Sequence, residues 1–164
     1  MIVVSDTTPL ISLMKAEALA ILEPLFNEVL IPDAVFSELT TNPDFSDEAE
    51  TIRSCSFSKI VTVKEQQSVE LLQRATGLDL GESEAIIYAD SIKADVLLMD
   101  ETRGRQVART MGIYYMGTIG VLLFAYEEKV LSASDVVEIL NRLKNANRHI
   151  SEDLIQYAIS KINK

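Results

Sequence analysis

The feature that most constrains the fold is the alternation of short apolar runs with longer amphipathic segments. The apolar runs are rich in β-branched residues and lie at 2–4, 28–31, 60–63, 95–100 and 113–116. Between them, apolar residues recur with helical spacing. Strands that alternate with helices usually form parallel sheets. The sequence therefore predicts an α/β fold with a parallel sheet of four to five strands and helices on both faces.

The remaining segments predict one loop and a helical C-terminal part. Residues 40–50 are polar and include Pro43, which predicts a mobile loop, and 77–81 predicts a turn before a helix that begins at Glu82. Residues 131–164 form a helical extension, in which Ser132 opens a capping-box pattern and Ser151 precedes the last helix. No linker divides the chain, so we expect a single domain over 1–164.

Composition limits the compartment and the class of partner. With 48% hydrophobic residues, six glycines and four prolines, the chain can bury a sizeable core. Cys55 is the only cysteine, and the N-terminus has no basic region before its apolar run, so we expect a cytoplasmic protein without signal peptide or membrane span. The net charge of −10 disfavours duplex binding through bulk electrostatics. It does not disfavour a nuclease whose carboxylates are neutralised by metal.

Two aspartates end apolar strands. Asp6 lies two residues after the first run, and Asp100 is the last residue of the run at 95–100. In parallel α/β sheets the active site lies beyond the carboxyl ends of the strands, so both side chains are expected in that crevice. The alternative for each is a cap on the helix that follows.

Three glutamates are further candidates. Glu38 lies in a helix beside core-like residues, and a solvated position is its alternative. Glu82 lies in a first helical turn, where an acid complements the helix dipole. Glu84 shares a face with the partly apolar pair Ile87 and Tyr88, so its carboxylate requires a partner.

Collectively, the acids predict a divalent-metal site. Carboxylates that share a crevice repel one another unless cations are present, and Mg²⁺ or Mn²⁺ prefers oxygen ligands. A zinc site or a Ser-His-Asp triad would require His149, the only histidine, which we expect at the surface. There is no glycine-rich phosphate-binding loop.

The ordered set of motifs resembles the PIN-domain ribonucleases, a family that includes VapC-like toxins. The matching segments are VVSDTTPLISL, IPDAVFSEL, LDLGESEAIIYA, DVLLMDETRGRQVA and MGTIGVLLFAYEEKVL. They occur in the family's order and span 2–131. Within the family, the chain looks closest to an uncharacterised prokaryotic PIN-like branch.

The resemblance assigns the family's catalytic and metal-binding acids to four residues of this chain: Asp6, Glu38, Glu84 and Asp100. It places the hydroxyl of Thr8 near Asp6.

One part of the family pattern differs. Many PIN domains end the fourth strand with Thr-x-Asp, whereas this chain has Asp100, Glu101 and Thr102. The last ligand is therefore Asp100 or Glu101, with Thr102 supporting. Glu82 is a further outer-ligand candidate, because GESEA resembles the paired glutamates of flap-endonuclease-like relatives.

The leading function is a Mg²⁺- or Mn²⁺-dependent endoribonuclease. The resemblance implies single-stranded or structured RNA as substrate, a cognate antitoxin and a homodimer, for which Leu10, Leu13, Leu19 and Leu22 could supply an apolar surface. Arg103, Arg105 and Arg109 could hold RNA phosphates, or they could form surface ion pairs. The alternatives are a catalytically weak or inactive binding module and, less favoured, a small-molecule phosphohydrolase.

Overall fold

The computed structural model describes residues 1–148 and 150–163, and His149 lies outside the described residues. Five parallel strands form one sheet in the order β3-β2-β1-β4-β5. The strands are β1 (Val3–Ser5), β2 (Val29–Pro32), β3 (Ser58–Val61), β4 (Val96–Leu98) and β5 (Tyr115–Met116). The helices are α1 (Thr7–Lys15), α2 (Leu22–Phe26), α3 (Asp33–Thr41), α4 (Ser46–Arg53), α5 (Gln66–Thr76), α6 (Leu80–Ser91), α7 (Thr102–Thr110), α8 (Thr118–Glu127), α9 (Ala133–Asn145) and α10 (Glu152–Ile162), with short 3-10 helices at Leu19–Ile21 and Pro43–Phe45. The predicted parallel sheet with helices on both faces is confirmed.

Alternate residues of the central strands point to opposite faces of the sheet, as the period of a strand requires. Val3 of β1 packs into one core cluster, whereas Val4 packs into the other. In β4, Val96 and Leu98 face the first cluster and Leu97 faces the second. The first cluster contains α1, α8 and the C-terminal helices, and the second contains α6 and α7. Because both faces are covered, these strands have continuous apolar sequences.

The sheet reverses its winding between β1 and β4. The chain runs outward from β1 through β2 to β3, and it then returns to add β4 on the other side of β1. Ser5 pairs with Leu98, so Asp6 and Asp100 follow neighbouring strands at the same edge. This is the topological switch point at which open α/β sheets form their binding crevice.

The predicted mobile loop at residues 40–50 is wrong. Asn42 accepts a hydrogen bond from the backbone N–H of Asp44 at 2.9 Å, and α4 follows. Ala49 and Ile52 of α4 are buried, and Glu48 pairs with Lys15 of α1 at 2.6 Å. Because only every third residue of α4 is apolar, the segment reads as polar, yet tertiary burial of that narrow stripe makes it a helix.

The apolar surface predicted from four leucines is also wrong. Leu10, Leu13, Leu19 and Leu22 are all buried in this chain's own core, each at most 8% exposed. They leave no apolar face for a second subunit.

The helical C-terminal part is confirmed, including the two predicted N-caps. Ser132 and Asp135 form a reciprocal capping box, and Ser151 accepts a hydrogen bond from the Leu154 N–H. Both helices pack on α8 rather than on an edge strand. None of the helices in the described ranges is long and apolar enough to span a bilayer.

Candidate active site

Asp6 occupies the centre of the switch point. Its backbone N–H donates to the Leu98 carbonyl at 3.0 Å, which continues the pairing of β1 with β4 by one residue. Its side chain is only 3% exposed. Asp6 occupies the N-cap position of α1, but its side chain accepts no capping hydrogen bond. The helix-cap alternative therefore does not account for this carboxylate.

The electrostatic environment of Asp6 disfavours a negative charge. Burial raises the pKa of the Asp6 carboxyl well above its ordinary value, and the adjacent backbone N–H of Thr7 opposes this in part. The charges of Glu82, Asp79 and Glu38 raise that pKa further. A carboxylate that is both desolvated and surrounded by acids is unstable as an anion unless a cation or a proton neutralises it.

Glu38 and Asp79 flank the backbone of Gly81. A methyl group built on Gly81 would lie 3.5 Å from Glu38 Oε2 and 3.7 Å from Asp79 Oδ1. Glu38 is half-buried in α3, and its Oε2 accepts a hydrogen bond from Thr7 Oγ1 at 2.9 Å. This bond links Glu38 to the residue that follows Asp6, so both predicted acids lie near the first residue of α1.

Asp79 and Glu82 form a reciprocal capping box at the start of α6. Asp79 accepts from the Glu82 N–H at 2.8 Å, and Glu82 accepts from the Asp79 N–H at 2.9 Å. Burial raises the pKa of Glu82, and the charges of Asp79, Glu101 and Glu38 add to the effect. The predicted first-turn position of Glu82 is confirmed, although α6 begins at Leu80. Asp79 was missed, and the Asp-x-x-Glu spacing was the signal that could have revealed it.

Glu84 is buried and fully engaged by neutral donors. Its Oε1 accepts from the Ala34 backbone N–H at 3.0 Å, and its Oε2 accepts from Gln66 Nε2 at 3.0 Å. The Ala34 N–H belongs to the first turn of α3, which has no intrahelical acceptor. The partner that an inward-facing carboxylate requires is therefore supplied by α3 and α5.

Asp100 and Glu101 point to different neighbours. Asp100 Oδ1 accepts from the Thr118 N–H and Oδ2 accepts from Thr118 Oγ1, both at 2.7 Å, so the carboxylate caps α8. Glu101 is exposed, contacts Thr8 Oγ1 at 3.4 Å, and contributes to the raised pKa of Glu82. Thr102, the first residue of α7, is exposed. Glu101 therefore lies on the side of the acids that surround Asp6. Asp100, in contrast, is directed toward α8.

A family model described as a PIN domain, DUF3368, matches residues 2–164. The chain belongs to the PIN-domain family. No curated protein matches the chain. PIN domains are generally nucleases, so the sheet and its acidic switch point constitute a nuclease-type fold.

The donor chemistry of this PIN domain fits a hard divalent cation. The charges that act on buried Asp6 come from acids, and carboxylate oxygens are the ligands that Mg²⁺ and Mn²⁺ prefer. Within residues 1–148 and 150–163, however, no three acidic, histidine or cysteine side chains are close enough together to hold one ion. The carboxylates that surround Asp6 are instead held by hydrogen bonds from Thr7 and within the Asp79–Glu82 capping box.

The three predicted phosphate-binding arginines of the PIN domain behave differently from one another. Arg105 and Arg109 both lie over the Tyr115 ring, at 5.1 and 5.7 Å from its centroid, and Arg109 also donates to the Tyr115 hydroxyl. Arg103 donates to the Thr76 carbonyl at 3.0 Å. Among the described residues none of the three forms an ion pair with a carboxylate. The surface ion-pair alternative therefore does not describe their contacts.

Proposed function

We propose that this PIN domain is an endoribonuclease that cuts RNA with Mg²⁺ or Mn²⁺. The observation that supports the proposal best is the buried carboxyl of Asp6 at the switch point, beside Glu38, Asp79 and Glu82. Burying an acid among other acids lowers stability, and acids perturbed in this way cluster at functional sites. A bound divalent cation would neutralise the repulsion between these carboxylates.

Asp6, Glu38 and Glu82 are the residues we place nearest the ion. For the last metal-binding acid we favour Glu101, because it is exposed and its charge raises the pKa of Glu82. Both carboxylate oxygens of Asp100, in contrast, accept hydrogen bonds from Thr118. Glu84 and Asp100 remain in the proposed set and would join it by exchanging hydrogen bonds for metal contacts. A bound ion would lower the pKa of a water molecule and stabilise charge on the phosphate oxygens.

The substrate we propose is RNA, held by its phosphates at Arg105 and Arg109. Both guanidinium groups lie over the Tyr115 ring on one face of α7, and Arg105 and Arg109 follow Glu101 by about one and two helical turns. Fixed guanidinium groups lose little freedom when they bind phosphate, which favours binding. Arg103 is engaged by the Thr76 carbonyl and would contribute less.

As a biological role, we propose the toxin of a toxin–antitoxin pair, restrained by a cognate antitoxin and acting as a homodimer. The support for this role is membership of the PIN family together with the resemblance to VapC-like toxins. A short open reading frame beside the gene would support the role. A monomer by light scattering at micromolar concentration would refute the dimer.

The decisive experiment is incubation of purified protein with a mixed cellular RNA pool in Mg²⁺, Mn²⁺ or EDTA. We expect slow cleavage that requires metal and is lost in Asp6→Asn, because asparagine preserves size but removes the charge that attracts the ion. Equal cleavage by wild type and Asp6→Asn would indicate a contaminating nuclease and refute the activity. A matched control is Asp90→Asn, which changes an aspartate at the far end of α6.

A second function, a PIN-like binding module without catalysis, is favoured by one specific observation. Glu84 and Asp100 each use both carboxylate oxygens in hydrogen bonds within the protein. If these bonds persist when metal is present, too few ligands remain for a catalytic ion. RNA binding without cleavage at any metal concentration would support this function over the nuclease.

A further inference from the structure

A large cleft adjoins the acidic edge on the side of the C-terminal helix. Its volume is about 840 Å³, within the usual range for ligand sites. Asp100 and Glu101, which follow β4, line the cleft. Residues of β5, of the first turn of α8 and of α10 line it as well. The cleft therefore continues from the proposed catalytic acids toward the C-terminal helix.

Two exposed tyrosines line this cleft. Tyr114, just before β5, is 61% exposed, and Tyr157 of α10 is 51% exposed. Leu154, one helical turn before Tyr157 in α10, also lines the cleft and is 39% exposed. Exposed rings that face a common cleft provide flat apolar surfaces, on which unpaired nucleobases stack.

Two arginines from different parts of the chain line the cleft. Arg105 lines it from α7 and is positioned over Tyr115, and Arg148 lines it from the segment before α10. The Nε of Arg148 donates to Ser12 Oγ at 3.0 Å, which orients the guanidinium and leaves four further N–H donors for other acceptors. Lys161 lies 5.3 Å from the centroid of the Tyr157 ring and adds a cation beside that tyrosine.

Helix α1 contacts one acid and one cationic residue that line the cleft. Thr8 contacts Glu101, and Ser12 contacts Arg148. Thr8 and Ser12 are four residues apart, so they lie on one helix face about 6 Å from each other along the axis. Glu101 and Arg148 are therefore both bonded to the same face of α1, so the cleft joins the acidic edge to a cationic group.

We propose that this cleft binds an unpaired RNA segment, whose bases stack on Tyr114 and Tyr157 and whose phosphates contact Arg105 and Arg148. The proposal rests on the proposed function and assigns the residues of this chain that hold the unpaired bases. Bases in a duplex already stack on one another and cannot lie on the tyrosines. Asp100, Glu101 and Glu127 also line the cleft, so stacking rather than charge supplies most of the affinity.

The test measures binding of fluorescein-labelled RNA of about ten nucleotides by fluorescence anisotropy, in EDTA so that no cleavage occurs. The variants are Tyr157→Ala, Tyr157→Phe and Gln156→Ala, a matched control at an exposed neighbouring position of α10 outside the cleft. We expect Tyr157→Ala to weaken binding at least about fivefold, because a base loses its stacking partner. Tyr157→Phe retains the ring and should bind like wild type, as should Gln156→Ala.

Tyr114→Ala provides an independent second variant, and circular dichroism checks that each variant is folded. Unchanged affinity in folded Tyr157→Ala and Tyr114→Ala would overturn the proposal. So would equal or tighter binding of a duplex of the same length. Absence of RNA binding by wild type would also overturn it and would favour a protein segment as the occupant of the cleft.

The binding test and the cleavage assay distinguish failure of the cleft proposal from failure of the nuclease proposal. Weaker binding by Tyr157→Ala together with no metal-dependent cleavage by wild type supports the cleft and refutes the nuclease. Metal-dependent cleavage that is lost in Asp6→Asn, together with unchanged affinity in Tyr157→Ala, supports the nuclease and refutes the cleft.

Discussion

The hydrogen bonds of Glu84 predict that removing this acid weakens the fold even when no metal is present. Its carboxylate accepts from the Ala34 N–H and from Gln66 Nε2, each at 3.0 Å, and its side chain is only 6% exposed. A hydrogen bond to a charged group contributes roughly 1.5–3 kcal/mol, so two contribute about 3 kcal/mol at the lower limit. Loss of buried methylene contacts adds about 1 kcal/mol, and better helix propensity restores under about 1 kcal/mol. Glu84→Ala should therefore destabilise the protein by about 3 kcal/mol.

The measurement is equilibrium unfolding in urea, followed by circular dichroism in EDTA near neutral pH. We expect a lower midpoint with an unchanged slope, because the change affects stability rather than the surface exposed on unfolding. Glu84→Gln should lose less, about 1–2 kcal/mol, since its amide offers one acceptor oxygen to two donors. Glu70→Ala is the matched control: Glu70 is an exposed helical glutamate, and its change should stay within about 0.5 kcal/mol.

The sign of the change at Glu84 decides between a structural and a purely metal-binding carboxylate. An acid kept only for metal repels its neighbours in EDTA, so its removal would stabilise the protein. Stability of Glu84→Ala equal to or above that of wild type in EDTA would refute the reasoning from the two hydrogen bonds.

Other residues of the site give further predictions. Asp6→Asn should raise stability in EDTA at neutral pH. The pKa of Asp6 is raised in the folded state, so wild type should be as stable as Asp6→Asn below the ordinary aspartate pKa. Its stability should then fall below that of Asp6→Asn as pH rises through the folded-state pKa. Melting curves at a series of pH values test this, and a pH-independent difference would contradict it. Mn²⁺ at about 100 times its Kd should stabilise wild type by about 2.7 kcal/mol but should not stabilise Asp6→Asn. Melting temperatures measure this effect, and an equal rise in the melting temperature of both proteins would mean that the ion binds elsewhere. Thr118→Val should cost about 1.5–3 kcal/mol in urea unfolding through the lost bond to Asp100 Oδ2, and should cost clearly less in an Asp100→Ala background. Arg105→Ala should weaken RNA binding and reduce the salt slope by about 1 in a titration, without altering the Mn²⁺ effect; an unchanged slope would exclude a phosphate contact.

Some features of the site follow from local sequence, and others depend on residues far along the chain. The strand-end position of Asp6 and the helical turn containing Glu82 follow from apolar runs and capping patterns in the chain itself. The hydrogen bonds of Asp100 did not, because they depend on Thr118, eighteen residues further along. Parallel pairing of β4 with β5 brings the start of α8 beside the end of β4, and α8 then offers its unpaired first-turn N–H to Asp100.

By itself, the sequence determined the alternation of strands and helices, and with it a parallel sheet in which Asp6 and Asp100 follow strand ends. That result follows from periodicity, which is a local property. The tertiary structure alone decided that 46–53 is helical, that four leucines are buried, and that Glu84 is bound by α3 and α5. It also decided that α10 and Tyr157 line a cleft beside the acids. These outcomes depend on contacts between residues far apart in the chain, where burial and hydrogen bonding outweigh local preference.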